Sequence, residues 1–296
     1  MKKLIIILIS IFLITGCNSY TELNDLAIIN AIGIEKKDDT YTLYASIIDS
    51  SNEFEKVTKT YKTNGNNLNK CFDNLNLKLD KKIYLSHLDL LLINDSIKTY
   101  ELKEIINFFL NNNETREDFL VAYSKNIEEI LNKSQFQEIN NLVKINHETN
   151  SKATYTTMND IIKNYYEEKE IYLTNISDEE HINIDSLKKL YHNQFTNILI
   201  EDSIFINYLI NEITTYKYTY ECQNGKYLYL NILSSNTRII KNKLGITNEI
   251  KIITNDCHYK KEEIDNLFTK ELIKELEKLT NKKISINNTI RGNYEK

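Results

Sequence analysis

Glu179-Glu180-His181 sets two carboxylates beside an imidazole, a grouping that metal-assisted or general acid–base hydrolysis would use. A zincin helix needs a second histidine one turn away so that two ring nitrogens meet one ion, and none stands at that spacing. Cys257-His258 offers a thiolate and an imidazole, but no second pair lies at metal-ligand spacing. Loop residues at the end of a strand account for both better than a site does. His87 lies inside an apolar run and is expected to be a core histidine, not a ligand. Glu114-Thr115-Arg116-Glu117-Asp118 places four charges together, one of them among only three arginines in the chain. That cluster is expected to fix a helix–strand junction through ion pairs. No G-x-S-x-G elbow and no glycine-rich phosphate loop occurs. No catalytic residue, cofactor-binding residue or metal ligand is assigned, and the chain is expected to be a non-enzyme without cofactor.

The residue whose surroundings do imply chemistry is Cys17. Lys2 and Lys3 precede an apolar run from Leu4 to Ile14, interrupted only by Ser10, and Ile14-Thr15-Gly16-Cys17 follows. The run falls short of the ~20 residues of a permanent span and suits an export signal. Small residues before the cysteine let the chain lie extended in a peptidase groove, and the thiol can form a thioether to diacylglycerol. The segment resembles the bacterial lipobox. Residues 1–16 are therefore expected to be a signal peptide, with Cys17 acylated after cleavage. Acyl chains contribute ~0.8 kcal/mol per buried methylene, so several chains anchor stably. The remaining 280 residues would work at the outer face of the cytoplasmic membrane.

Composition narrows the partners. Net charge is −5 for the whole chain and becomes −7 without Lys2 and Lys3. An acidic, well-mixed surface excludes nucleic acid, which needs a basic footprint. It also leaves membrane attachment to the lipid. Proline and tryptophan are absent, so Asn, Asp and Gly must form the turns. Cys71, Cys222 and Cys257 remain after acylation, an odd count that implies no disulfide framework. A single Cys222–Cys257 bridge stays open as an alternative, while Cys71 on a helical stripe is expected in a core.

The elements that would position these residues follow from periodicity. Residues 26–35 form a buried strand, a polar turn follows at 36–39, and 41–49 pairs back as a hairpin. Residues 53–63 suit an edge strand. Leu68, Cys71, Phe72, Leu75 and Leu79 mark a helix. Lys82 to Ile93 is expected to be one central strand. Helices follow around Leu102–Leu110 and Ile127–Leu131, with a short strand at 119–123 between them. Residues 133–155 suggest a connecting stretch, Met158 to Tyr165 a helix, and 175–185 a loop at the main boundary. Residues 195–200 and 203–210 are expected to flank Glu201-Asp202 as a hairpin. Further strands are expected at 227–232, 237–240 and 249–253. Residues 262–279 carry the clearest amphipathic helix. The fold class is α+β, multi-domain, with mixed or antiparallel sheets flanked by helices after the cleaved signal.

One family joins these observations. Tyr20-Thr21-Glu22-Leu23-Asn24-Asp25-Leu26-Ala27 and Ala31-Ile32-Gly33-Ile34-Glu35 resemble the opening of the C-subunit lipoproteins of bacterial spore germinant receptors. Asn74 to Leu79, Lys82 to Leu88 and Ile105 to Leu110 are similar to that family's helix–strand–helix core, in the same order. Glu114 to Asp118 resembles its charged junction, and Asn126 to Leu131 the helix after it. The usual tryptophan after the lipid cysteine is missing, and Tyr20 is the nearest aromatic. The resemblance implies a germination-lipoprotein-like domain at 17–176 and a C-terminal α+β domain at 195–296, shortened because members usually continue past the last helix. It implies a non-enzymatic subunit of the spore inner membrane, beside multi-span A- and B-type receptor subunits, acting in nutrient germination. Whether a small-molecule germinant touches this subunit stays open. An extracytoplasmic solute-binding lipoprotein serving a transporter is the alternative, and a hydrolase would have to use His181 or His258.

Overall fold

A computed structural model describes residues 25–49, 57–133, 136–178, 181–222 and 225–292. Cys17, the expected signal peptide and Glu179-Glu180 lie outside them. The first strand, β1 (Leu26–Lys37), is buried continuously from Ile29 to Ile34. Such a run is what a strand covered on both faces requires. β2 (Thr40–Asp49) returns antiparallel beyond a turn whose Asp38 adopts φ 53°, and β3 (Val57–Gly65) forms the edge. Asn67 then caps α1 (Leu68–Asn76) by accepting a hydrogen bond from the Lys70 amide at 2.9 Å.

On the other side of β1 the chain alternates strand and helix. β4 (Lys82–Tyr84) and β5 (Leu90–Ile93) pair parallel with β1, and α2 (Thr99–Leu110) leads to β6 (Leu120–Tyr123), parallel to β5. Three helices follow: α3 (Ile127–Lys133), α4 (Phe136–Asn150) and α5 (Met158–Tyr166). β7 (Ile171–Asp178), β8 (Ile182–Tyr191) and β9 (Gln194–Leu199) close the sheet as an antiparallel meander. Among the described residues this mixed sheet has nine strands, ordered β3-β2-β1-β5-β6-β7-β8-β9, with β4 beside β1. Cys71, Leu75, Ile105, Phe109 and Ile161 of α1, α2 and α5 cover one face. Ile127, Ile130, Ile139 and Val143 of α3 and α4 cover the other.

After a single 3-10 turn comes α6 (Ser203–Ile210), then a second sheet. Its strands are β10 (Tyr216–Glu221), β11 (Tyr227–Ile240), β12 (Lys243–Asn255) and β13 (Lys283–Arg291). β10 to β12 form a meander, and β13 returns parallel to β12 across α7 (Lys261–Glu277). Ile264, Phe268, Leu272 and Leu276 of α7 pack on Leu228, Leu230, Ile232 and Ile250. The molecule is α+β, with two mixed sheets flanked by helices.

Several elements differ from expectation, each for a local reason. The 82–93 run is broken in two because Leu88 N donates to Leu85 O (3.0 Å) and Ser86 Oγ donates to Glu114 O (2.5 Å), folding residues 85–89 into a turn. Residues 136–150 are a helix, although among its described side chains only Ile139 and Val143 are buried apolar ones. The interval 175–185, expected as a loop, is a hairpin between β7 and β8. Residues 203–210 are helical rather than the second arm of a hairpin. The strands expected at 227–232 and 237–240 are one continuous β11 with a bulge between Ile232 and Ser234.

Candidate functional site

The residues singled out for chemistry do not converge. His87 is exposed on the turn between β4 and β5, its ring 5.8 Å from Tyr84, so it is not the core histidine expected. His181 is exposed at the start of β8. Cys257 is bonded to Cys222, with Cα atoms 6.0 Å apart. The Cys257 thiol is therefore spent on a covalent crosslink and cannot form a ligand pair with His258. Cys71 is free and buried, and burial pushes its thiol up to about 11, well away from nucleophilic character at neutral pH. At the charged junction Glu114 pairs with Lys82 at 3.3 Å, and the Glu117 carbonyl accepts from the Asn159 amide at 2.8 Å. Among the described residues no three His, Cys, Asp or Glu side chains could hold one metal ion.

What the fold does assemble is a seam between the two sheets. α6 lies in it: Ile204 and Tyr208 join the core of the second sheet, while Ile206 packs on Tyr172 and Leu187 of the first. The last carbonyls of α4 have no partner inside their own helix. Thr214 Oγ1 donates to the His147 carbonyl (3.0 Å) and Thr215 Oγ1 to that of Glu148 (2.7 Å). Ser151, in the left-handed region at φ 52°, donates from Oγ to Thr215 O at 2.8 Å. Asn207 is wholly buried, and its Nδ2 donates to both Ser151 O and Ala153 O at 2.9 Å. Asn211 ends α6 at φ 64°, a conformation asparagine tolerates, and its Oδ1 accepts from the Thr237 amide of β11 at 2.5 Å.

Beside this latch a cleft of 570 Å³ opens between the sheets, lined by Asp160, Lys163, Glu170, Tyr191, Glu212 and Lys282 among others. Burial, and then the negative charge of Asp160, push the Glu212 carboxyl up to about 7. One Glu212 oxygen is buried without a hydrogen-bond partner. The seam therefore contains a proton-sensitive carboxyl. α6 joins the two modules across it. Asn207 and Asn211 escaped notice because 203–210 reads as a strand; Ile204, Asn207 and Tyr208 at helical spacing were the signal available.

Residues 19–178 match the family described as the spore germination protein N-terminal domain, which spans more than half of the chain. The chain belongs to the Ger(x)C-type spore germination protein family. Within it, spore germination protein KC of Bacillus subtilis (strain 168) is 28% identical over 144 residues. That alignment takes in 43% of this chain and 35% of the relative, so the chain spans about a third of the length of the curated relative it matches. A crystal structure of the GerBC protein superposes with a TM-score of 0.52 at 13% identity, covering 91% of this chain and 99% of that one. At that identity the likeness is one of fold, and it extends through both sheets.

The family match ends at Asp178, the last residue of β7. It thus takes in β1 to β7 and the helices on both faces of the large sheet. The Ger(x)C-type match leaves outside it β8, β9, the seam helix α6 and the whole second sheet. Among the described residues no helix is long and apolar enough to cross a membrane.

Proposed function

We propose that this chain is a lipid-anchored C-type subunit of a spore nutrient-germinant receptor, and that it acts by protein–protein contact rather than by catalysis. The observation that carries the reading is the family match, which begins at residue 19, two residues after the lipobox-like Cys17. The signal peptide is residues 1–16, and acylated Cys17 holds the protein on the outer face of the cytoplasmic membrane, which becomes the spore inner membrane. Multi-span A- and B-type subunits are its partners there. A tether confines both partners to two dimensions and raises their effective concentration, so modest contact surfaces suffice.

The test is Cys17→Ala in the full chain. The variant is expected to leave the membrane fraction and to lower nutrient germination, while germination by agents that bypass receptors stays normal. A variant released from the membrane with normal nutrient germination would rule out the anchored role.

A further inference from the structure

We propose that the cleft beside α6 binds the primary ammonium group of a small amine, with Glu212 as its counter-ion and Thr237 as a second acceptor. The site owes nothing to Cys17, and its test does not depend on acylation.

The fold brings the two acceptors to one wall. Glu212 follows α6, and its amide donates to Asn207 O at 2.8 Å. Asn211, one residue earlier, accepts from the Thr237 amide at 2.5 Å, which seats β11 against the end of α6. Glu212 and Thr237 both line the cleft. Glu212 Oε2 and Thr237 Oγ1 are each buried without a hydrogen-bond partner among the described residues. Thr237 as a whole is only 9% exposed. A buried oxygen without a partner has forfeited the hydrogen bonds that water gave it, so folded chains keep few of them. Two on one wall of a cleft point to a donor that arrives from outside.

Charge decides which donor. Burial, and then the negative charge of Asp160, oppose a bare carboxylate at Glu212. Asp160 is itself held at the start of α5 by the amide and hydroxyl of Thr157, at 2.9 and 2.6 Å. A neutral donor would leave the two acids uncompensated, whereas a cation relieves both. Among the described residues no three His, Cys, Asp or Glu side chains could hold a metal ion. An ammonium needs fewer ligands and brings three N–H donors with its charge. As the ion pair forms, Glu212 gives its proton to the buffer and the ammonium takes its place. Leu209, Ile239 and Leu279 also line the cleft and would cover a short alkyl body. Its 570 Å³ lies within the ~300–1,000 Å³ of small-molecule sites. Lys163 and Lys282 line other parts of it, and their charge directs an ammonium to the Glu212 corner.

Butylammonium chloride is the probe, added to the full-length protein at pH 8, where Glu212 is ionised. At ten times its dissociation constant it is expected to raise the parent's thermal midpoint by about 3 °C. Tetramethylammonium chloride at the same ionic strength has the charge without N–H donors, and it should leave the midpoint unchanged. Glu212→Gln should abolish the shift. Thr237→Val keeps the shape, removes Oγ1 and should weaken butylammonium binding about tenfold. A cooperative unfolding transition without amine establishes that each variant folds, and the comparison of the two cations needs no variant. If butylammonium gives the parent no shift, if tetramethylammonium gives an equal one, or if folded Glu212→Gln keeps it, the proposal is overturned.

Discussion

At the residue scale, Glu212 makes the seam sensitive to protons. Burial and Asp160 hold its carboxyl near 7, against 4.5 for a free glutamate. Between those values the folded chain keeps a proton that the unfolded chain has released. The stability associated with that proton is fully present below pH 4.5 and is lost as pH rises through 7. Each pH unit inside the window costs at most about 1.4 kcal/mol. Glu212→Gln keeps the shape and removes the titration. Thermal midpoints of the parent should therefore fall across this window relative to those of Glu212→Gln, and the two curves should run parallel above it. Equal slopes throughout would show that Glu212 titrates normally. Nothing in Asn211-Glu212 announces this behaviour, since Asp160 approaches it only through the tertiary fold. The acylation proposed for Cys17 differs, because it would depend on immediate neighbours alone, and neighbours are what a sequence displays.

At the element scale, the helices were legible where one face is apolar. α1, α2, α3, α5 and α7 all show their buried stripes as a 3.6-residue period. The second sheet was harder to read because polar side chains point inward. Asn248 Nδ2 donates to Asn288 Oδ1 at 2.8 Å, and Asn288 Nδ2 donates to Asp265 (2.7 Å) and Thr269 (2.8 Å) of α7. These asparagines interrupt the apolar alternation of β12 and β13, so β12 reads too short and β13 disappears. Gly33 illustrates a constraint that the sequence displays without explaining. A Cβ there would sit 2.1 Å from Ile127 Cγ2 and 3.1 Å from Leu131 Cδ1, because α3 lies directly on β1. Ile127 is fully buried and β-branched, so it has little freedom to withdraw. Gly33→Ala is expected to destabilise the chain by about 1–3 kcal/mol through overpacking. A lower denaturant midpoint with an unchanged m-value would be the signature; an unchanged midpoint would mean that α3 can shift freely.

At the scale of the whole molecule, the question is how two sheets behave as one body. Their cores are separate, and α6 contributes to both sides of the seam between them. The seam owes its register to side chains that satisfy orphan backbone carbonyls at the end of α4, a polar arrangement with no amphipathic signature. Asn207 is the centre of that arrangement, since one buried amide holds two carbonyls of the segment after α4. Removing it leaves Ser151 O and Ala153 O without that donor, at a cost of about 1–3 kcal/mol for each buried group left unsatisfied. The loss falls on the connection, not on either core. Asn207→Ala should therefore speed amide hydrogen exchange in α6 and the 211–215 segment while β1 and β5 keep the parent's protection. It should also separate a single unfolding transition into two, with the second sheet melting first. If exchange instead rises uniformly through both sheets, the seam and the large core unfold as one unit and Asn207 is an ordinary core residue.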